Sequence, residues 1–558
     1  MDRLAHHAPA SPGPAGRWHL LAAVGLLLAG AAAHLVYLLN HCPLDLSGDE
    51  AHYWEWARRL DLSYYSKGPL VAYIIALGRL LLAKWSEHMV GHEALAVRVP
   101  ALVLSVATGL GIYTLAAATL RSSRLALAAV AVTCTIPIFA VGAILMTIDA
   151  PLACLFVWTL VAVERGLRTG HRGPWLIAGL MIALGILAKY TMVLIFPMVG
   201  LTLLCVPRYR AVLRRPGPYV ATLIGGLGFV PILLWNSRHN WVSFRHVAGQ
   251  AGVAGGPAIE WLGPLSYVTG QAAVVGPIWF VATLCAVVAL WRRPGAEPGE
   301  LLEPAATRFL ICATVTPWLV FLAFSPITKI QPNWPVLALL PGTVLLVAWL
   351  ARLLRQPATR STGRVLIVAG VLLGAGSVAV MHYSHWLTPA FAWLARREPP
   401  WNLTPVAKYD PTARLRGWSQ LAAAVDEVLA TERAAGREPF IVTDDYQTAS
   451  EIAFYCPGEP AVYCLQAVLG NRQSQYDIWP NPIRNAAQFI GRPCIYVGTL
   501  KPELIGQGAS AHVALRGARL ATTVEHRVRG HLYRVWPVYV CEEFAGLPPE
   551  LGRPAEEY

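Results

Sequence analysis

Charge is scarce in this sequence: only 14% of its 558 residues are Asp, Glu, Lys or Arg, while 55% are hydrophobic and the mean hydropathy is +0.47. A soluble fold cannot bury that much apolar surface, which excludes an ordinary globular enzyme and leaves a chain that crosses a membrane many times. No two of the ten cysteines have C-x-x-C spacing, so no zinc or dithiol motif is present. Cys42, Cys134, Cys154, Cys205, Cys285 and Cys312 lie in or beside apolar runs as small packing residues. Cys456, Cys464, Cys494 and Cys541 fall in the C-terminal part, where one or two disulfides are open and their pairing is not deducible. Internal repeats and low-complexity tails are also missing, and secondary transporters often carry the former. The net charge of +13 does not imply nucleic acid, because the arginines sit in short stretches between apolar runs. That is the pattern of a membrane-orientation signal.

What is present is a series of apolar segments. Spanning the hydrocarbon takes about 20 such residues per helix. The expected spans are 18–39, 99–119, 125–143, 150–163, 174–188, 191–206, 219–235, 265–290, 309–325, 334–351 and 365–381, a count of eleven. The first run is too long for a signal-peptide core and is read as a retained span after a polar tail, 1–17, that holds His6 and His7. Eighteen Lys and Arg residues lie on the side of the N-terminus, from Arg3 and Arg17 to Arg360 and Arg364. Opposite them stand four, Lys189, Arg238, Arg245 and Lys329. The positive-inside rule then predicts a cytoplasmic N-terminus, and an odd span count predicts an outer C-terminus. Beyond 382 the apolar runs give way to short β-rich pieces at 439–443, 461–465, 494–498 and 532–540, alternating with helical ones at 417–434 and 447–455. The expected organisation is an α-helical polytopic membrane protein: a tail (1–17), a transmembrane domain (18–381) with a large first periplasmic loop (40–98), and a soluble C-terminal α/β periplasmic domain (382–558).

The first outer loop holds the most unusual stretch, residues 45–70, with Asp49, Glu50 and Lys67 directly after the first span. A charge at membrane depth costs roughly 2.5 to 3.5 kcal/mol, so these residues lie at the water interface or line a polar cavity. Tyr53, Trp56 and Leu60 recur at helical spacing, predicting an interfacial amphipathic helix with its aromatic face in the headgroups; 69–83 predicts a second, half-buried helix. Three more polar features fall on the same face: Asp149 before Ala150-Pro151, the loop Trp235 to His246 with Arg238, His239 and Arg245, and Lys329 to Pro335. Each has a plainer reading. Asp149 suits a helix N-cap, the tryptophans suit interface anchors, the cations suit lipid phosphates, and Asp49-Glu50 suits a solvated helix start.

Neighbouring residues on a helix do not face one another, so Asp49 and Glu50 are not the facing acid and base of a glycoside hydrolase. If the leaving group is a lipid phosphate, no general acid is required. One carboxylate base and a cation for the departing anion suffice.

Gly48-Asp49-Glu50-Ala51-His52-Tyr53-Trp54, Tyr65-Ser66-Lys67-Gly68-Pro69-Leu70, Arg98-Val99-Pro100, Thr147-Ile148-Asp149-Ala150-Pro151-Leu152 and Leu187-Ala188-Lys189-Tyr190-Thr191 together resemble the bacterial GT-C membrane glycosyltransferases related to protein O-mannosyltransferases and lipid A aminoarabinose transferases. The likeness continues to Asn333-Trp334-Pro335, with Tyr446 to Ser450 and Gln475-Tyr476-Asp477 similar to one branch's periplasmic domain. This chain has Lys67-Gly68-Pro69-Leu70 where the family usually has Lys-Pro-Pro-Leu.

The resemblance implies a GT-C fold in the bacterial inner membrane and inverting transfer from a polyprenyl-phosphate-linked sugar to a glycolipid, glycan or protein acceptor at the periplasmic face, with membrane lipids around it and no nucleic-acid partner. By position it implies catalytic roles for Asp49 and Glu50, donor-phosphate binding by Lys67, Arg98 and Lys329, and a cavity or acceptor role for Tyr53, Asp149, Lys189, Arg238, His239 and Arg245. Asp45 lies four residues before Asp49, so the Asp-x-Asp metal pair of some wider relatives is absent; neither a metal nor another cofactor is expected, and a divalent ion stays open. The rivals are a lipid-linked sugar flippase and a non-catalytic envelope scaffold.

Overall fold

The computed structural model describes residues 14–40, 42–250, 259–293, 301–399, 401–501, 504–505 and 513–547. Most of the expected tail, with Arg3, His6 and His7, and the last residues of the C-terminal domain lie outside this set.

In hydrocarbon every backbone N–H and C=O must be satisfied within its own segment, so the apolar runs become helices. In chain order these are α1 (Pro14–Asn40), α2 (Gly48–Arg58), α3 (Leu70–Val90), α4 (Ala94–Leu120), α5 (Ser123–Thr133), α6 (Pro137–Gly142), α7 (Asp149–Thr169), α8 (Arg172–Ala188), α9 (Ile195–Cys205), α10 (Gly217–Gly226), α11 (Phe229–Arg238), α12 (Val242–Gln250), α13 (Gly263–Val275), α14 (Pro277–Arg292), α15 (Pro304–Phe324), α16 (Leu339–Arg355), α17 (Arg360–His382) and α18 (Thr388–Ala395). Among the described residues, seven helices are long and apolar enough to cross a membrane, or nine if each of two bent pairs is one span. The protein is therefore multi-pass.

The expected count of eleven exceeds seven by four runs that are broken, bent or short, one of them 191–206, where Tyr190–Cys205 bends by 119° into Pro207–Arg214. Pro137 divides 125–143 into α5 and α6. Gly276, at φ +88°, and Pro277 bend 265–290 by 109° between α13 and α14. Proline has no N–H to continue a ladder, and the preceding positive φ is one that glycine adopts without strain. α8 is apolar but has only 17 residues.

The C-terminal part folds as α19 (Trp418–Ala434), β1 (Phe440–Thr443), α20 (Tyr446–Tyr455), β2 (Val462–Cys464), β3 (Cys494–Val497), β4 (Leu515–Arg516), β5 (Arg519–Val528), β6 (His531–Cys541) and β7 (Glu543–Phe544). The main sheet has the order β2-β1-β3-β6-β5; β1 runs parallel to β2 and β3, and β6 antiparallel to β3 and β5. The four expected β-rich pieces are β1, β2, β3 and β6. The edge strand β5 was not expected, because most of its side chains face solvent and its apolar alternation is weak. All ten cysteines are free thiols, although Cys494 and Cys541 stand opposite each other in the β3/β6 register.

The loop after the first span is not a membrane-surface element with a lipid-facing aromatic stripe. Nine of the eleven residues of α2 are buried, Trp54 and Trp56 completely. They share one apolar core with Ile75 and Val97 on one side and with Leu421, Ile452, Phe454 and Ile495 of the α/β part on the other. Hydrogen bonds stitch the same boundary: the Asp45 N–H donates to the Leu415 carbonyl at 2.8 Å, the Leu46 N–H to the Tyr455 hydroxyl at 2.8 Å, and the Tyr65 N–H to Gln475 Oε1 at 2.7 Å. Burying large aromatics between protein layers removes more apolar area from water than laying one face in headgroups. The expected half-buried helix is α3, which packs Val71 and Ile75 inward and leaves Leu77, Leu80 and Leu81 outward.

Candidate active site

A cavity of about 1600 Å³ runs from an apolar groove between α1, α4, α6 and α17 to a polar end at the boundary with the α/β part. Asp49, Tyr53, Lys67, Asp149, Lys189 and Lys329 all line it, so the structure brings together six of the eleven residues singled out from sequence.

Asp49 is placed by the start of α2. Ser47 and Glu50 form a reciprocal capping box, the Ser47 hydroxyl accepting from the Glu50 N–H and the Glu50 carboxylate from the Ser47 N–H. Asp49 sits one residue earlier in the first turn, with its carboxylate exposed to the cavity. Its Oδ1 accepts from the Tyr446 hydroxyl at 3.0 Å. Among the described residues no other hydrogen bond reaches that carboxylate, so Oδ2 is open to a ligand.

Lys67 enters from the loop between α2 and α3. Its ammonium has no carboxylate or hydrogen-bond partner among the described residues. Burial, then the charge of Lys189, lowers its pKa from 10.5 to about 8, against the pull of Asp149 and Asp49. Gly68 explains the departure from Lys-Pro-Pro-Leu: a Cβ there would run into the carbonyl oxygen of Leu187 at the end of α8. The close approach sets Lys67 beside Lys189, two residues further on.

Asp149 is not an N-cap: Ile148 holds that position, and Asp149 is the first residue of α7. Its Oδ1 pairs with Lys189 Nζ at 2.7 Å and its Oδ2 accepts from Asn333 Nδ2 at 2.6 Å. Lys189 is thus neutralised where Lys67 is not. Lys329 is exposed at the cavity wall. His52, on α2, faces the cavity and hydrogen-bonds Ser450 at 3.1 Å; burial and the charge of Arg472 lower its pKa to about 3, so it is neutral.

Five expected site residues are elsewhere. Glu50 is fully buried and points away from the cavity, accepting from Arg98 Nε and Nη2 at 3.2 and 3.1 Å and from the N–H groups of Ser47 and Met146 at 2.9 and 3.0 Å. Arg98 is 3% exposed and spends its remaining donors on the Leu44 and Asp45 carbonyls. Neither has a group left for substrate. Arg238 and Arg245 are exposed away from the cavity, and His239 is stacked on Trp235 with ring centroids 3.9 Å apart. Trp235 is itself no interface anchor, being 2% exposed with its indole N–H on Asp61 at 2.8 Å.

The structure adds Asn333, His246, Tyr446 and Arg472 to the cavity wall. Asn333 and Tyr446 lie inside motifs that stand out in the sequence, but nothing in those motifs marks them as chemical. Arg472, in the loop after β2, has no sequence signal at all. Asp45 Oδ2 accepts the Trp418 N–H at 2.8 Å, at the start of α19. Among the described residues no three His, Cys, Asp or Glu side chains are grouped to hold a metal.

Many apolar helices and a small α/β part closing over one end of the bundle, where Asp49 and Lys67 line a common cavity, make a GT-C membrane fold. That fold is shared with ArnT from Cupriavidus metallidurans bound to undecaprenyl phosphate, at a TM-score of 0.57 and 17% identity over 93% of this chain and 98% of that one. The apo form of the same protein matches at 0.55 and 16% identity. Residues 66–235 match the family described as dolichyl-phosphate-mannose-protein mannosyltransferase. The lipid A galacturonosyltransferase RgtD of Rhizobium johnstonii is 26% identical over 326 residues, or 58% of this chain. The match spans 64% of that curated relative's length. The chain is thus related to GT-C glycosyltransferases of the lipid A-modifying and O-mannosyltransferase kinds.

Proposed function

We propose that the protein is an inverting glycosyltransferase that takes a sugar from a polyprenyl-phosphate carrier and places it on a lipid acceptor at the outer face of the bacterial inner membrane. The observation that carries this reading is Lys67, which lines the same cavity as Asp49 and has no ion-pair partner among the described residues. A buried charge that lacks a partner is costly unless a ligand supplies one. A phosphodiester brings a single negative charge to that point, and the apolar groove that continues from it suits a long hydrocarbon chain.

In this reading the Asp49 Oδ2 takes the proton of an acceptor hydroxyl as its oxygen attacks the anomeric carbon. The bond from that carbon to the phosphate oxygen breaks on the opposite face, and its electron pair stays with the polyprenyl phosphate. Lys67 and Lys329 hold the resulting charge, so no proton has to be delivered to the leaving group. Tyr446 fixes the base by bonding Oδ1. The Asp149–Lys189–Asn333 network forms a charge-balanced wall that leaves Lys67 as the phosphate site. The arginine pattern of the inner loops supports a cytoplasmic N-terminus, which sets the polar end outside.

The test is reconstitution in vesicles with labelled polyprenyl-phosphate sugar and a lipid A acceptor. Wild-type protein should form glycosylated lipid, and Asp49→Asn should lower the rate by about 10² to 10⁴-fold, the scale of general base catalysis, while still binding donor. Movement of intact donor across the bilayer without product would replace the reading with a flippase. An Asp49→Asn variant as active as wild type would remove the assigned base.

A further inference from the structure

We infer that Arg472 holds a second oxyanion, separate from the donor phosphate, in the acceptor half of the cavity. This deepens the transferase reading and rests on it. Arg472 reaches the site from the α/β part, in a loop pinned at both ends. Its main-chain carbonyl accepts from Gln466 Nε2 at 2.6 Å, and the next turn is closed by Ser474, whose N–H donates to Asp477 Oδ2 at 2.7 Å. The guanidinium donates from Nη2 to the Tyr446 hydroxyl at 3.3 Å and lies 5.6 Å from that ring. Among the described residues no carboxylate pairs with it.

Two facts say what it is for. The first is charge balance. Of the two carboxylates that line the cavity, Asp149 is spent on Lys189 and Asp49 is open to the acceptor, which leaves Lys67, Lys329, Arg414 and Arg472 as cations among the described residues. A polyprenyl phosphodiester brings one negative charge, so a cation surplus remains after the donor binds. The second is position. Arg472 and Asp49 bond the same phenol oxygen, that of Tyr446, so Arg472 stands on the side of the base. In a displacement with inversion the base and the leaving phosphate lie on opposite faces of the sugar carbon. Arg472 is therefore placed for the acceptor or for a substituent of the transferred sugar, not for the leaving group. A planar five-donor fork fits a carboxylate or a phosphate in two-point contact. The two sources of that chemistry are a carboxylate on the sugar, as in a uronic acid, and a phosphate on the acceptor glycolipid.

The experiment uses full-length protein in nanodiscs with four pairings: polyprenyl-phosphate-linked galacturonic acid or galactose, each with bisphosphorylated or dephosphorylated lipid A. Arg472→Gln should lower kcat/KM by about 10- to 100-fold, the size of a charge-assisted contact, only for pairings that carry its anion. Arg472→Lys should recover part of the loss. A loss confined to the galacturonosyl donor assigns the carboxylate, and one confined to phosphorylated lipid A assigns the phosphate. An equal loss in all four pairings, or none, overturns the inference while leaving transfer intact. If wild-type protein transfers nothing, the transferase reading fails, and equilibrium binding of the same four compounds still decides Arg472. Equal affinities in wild type and Arg472→Gln would overturn it.

Discussion

Raising the pH should switch off donor capture at a point set by Lys67, well before an ordinary lysine would lose its proton. Burial and the neighbouring Lys189 bring the Lys67 pKa from 10.5 down to about 8. At pH 7 about nine in ten molecules then carry the charged amine, and at pH 9 about one in ten. Since kcat/KM reports the free enzyme, its value for the donor should fall about tenfold between those two pH values; a lysine near 10.4 would cost only about 4%. A bound phosphate adds a counter-ion and raises the Lys67 pKa, so kcat at saturating donor should stay flat to higher pH. Stability runs the other way. The native state favours the neutral amine, so the unfolded chain binds more protons between about pH 8 and 10.5, and this group makes the fold more stable as pH rises through that window. Loss of donor capture there is consequently not unfolding driven by Lys67. The assay is initial rate at subsaturating donor from about pH 6.5 to 9.5 for wild type and Lys67→Arg, whose guanidinium stays charged throughout. A flat wild-type profile, or the same alkaline fall in Lys67→Arg, would refute the role of Lys67.

Glu50 and Arg98 should behave as structure, not chemistry: removing one partner of a buried pair costs about 3 to 5 kcal/mol, so Glu50→Gln or Arg98→Met should lower the melting temperature sharply, and the double variant should recover part of it. An unchanged melting temperature with lost activity would instead return Glu50 to the catalytic set. Gly68→Ala should cost about 1 to 3 kcal/mol from overpacking against Leu187 and raise the KM for donor by displacing Lys67; if both thermal stability and KM are unchanged, the close approach does not position that lysine.

The helical membrane body was legible because apolar runs of spanning length have one outcome in lipid, and the strands β1, β2, β3 and β6 because their cores are β-branched and aromatic. The breaks were less so. Pro137 and Gly276-Pro277 are visible as residues, but hydropathy alone does not say that the chain bends there. The polarity of α2 misled in an instructive way. Tyr53 and Trp56 at helical spacing look the same in sequence whether they face lipid headgroups or a second protein layer, and here the layer is supplied by residues nearly 400 positions later. The same distance hides half of the site. Asp49 and Lys67 announce themselves as charges beside a span, whereas Tyr446 and Arg472 are ordinary residues of the α/β part until that part is set on α2.

The adjacent pair Asp49-Glu50 shows how one dipeptide serves two ends. Successive residues of a helix point about 100° apart, so when one carboxylate faces the cavity its neighbour is turned into the protein. Glu50 uses that direction fully. It closes the capping box with Ser47, neutralises Arg98, and accepts the N–H of Met146 at 3.0 Å. Met146 lies three residues before Asp149, so a single buried carboxylate ties the helix start that carries Asp49 to the segment leading into the Asp149–Lys189 pair. The free acid is held at the cavity because its neighbour is not free. A substitution at Glu50 that abolished activity would therefore say nothing about proton transfer unless the fold were shown to survive it, and the same loss at Asp49 with the melting temperature intact would.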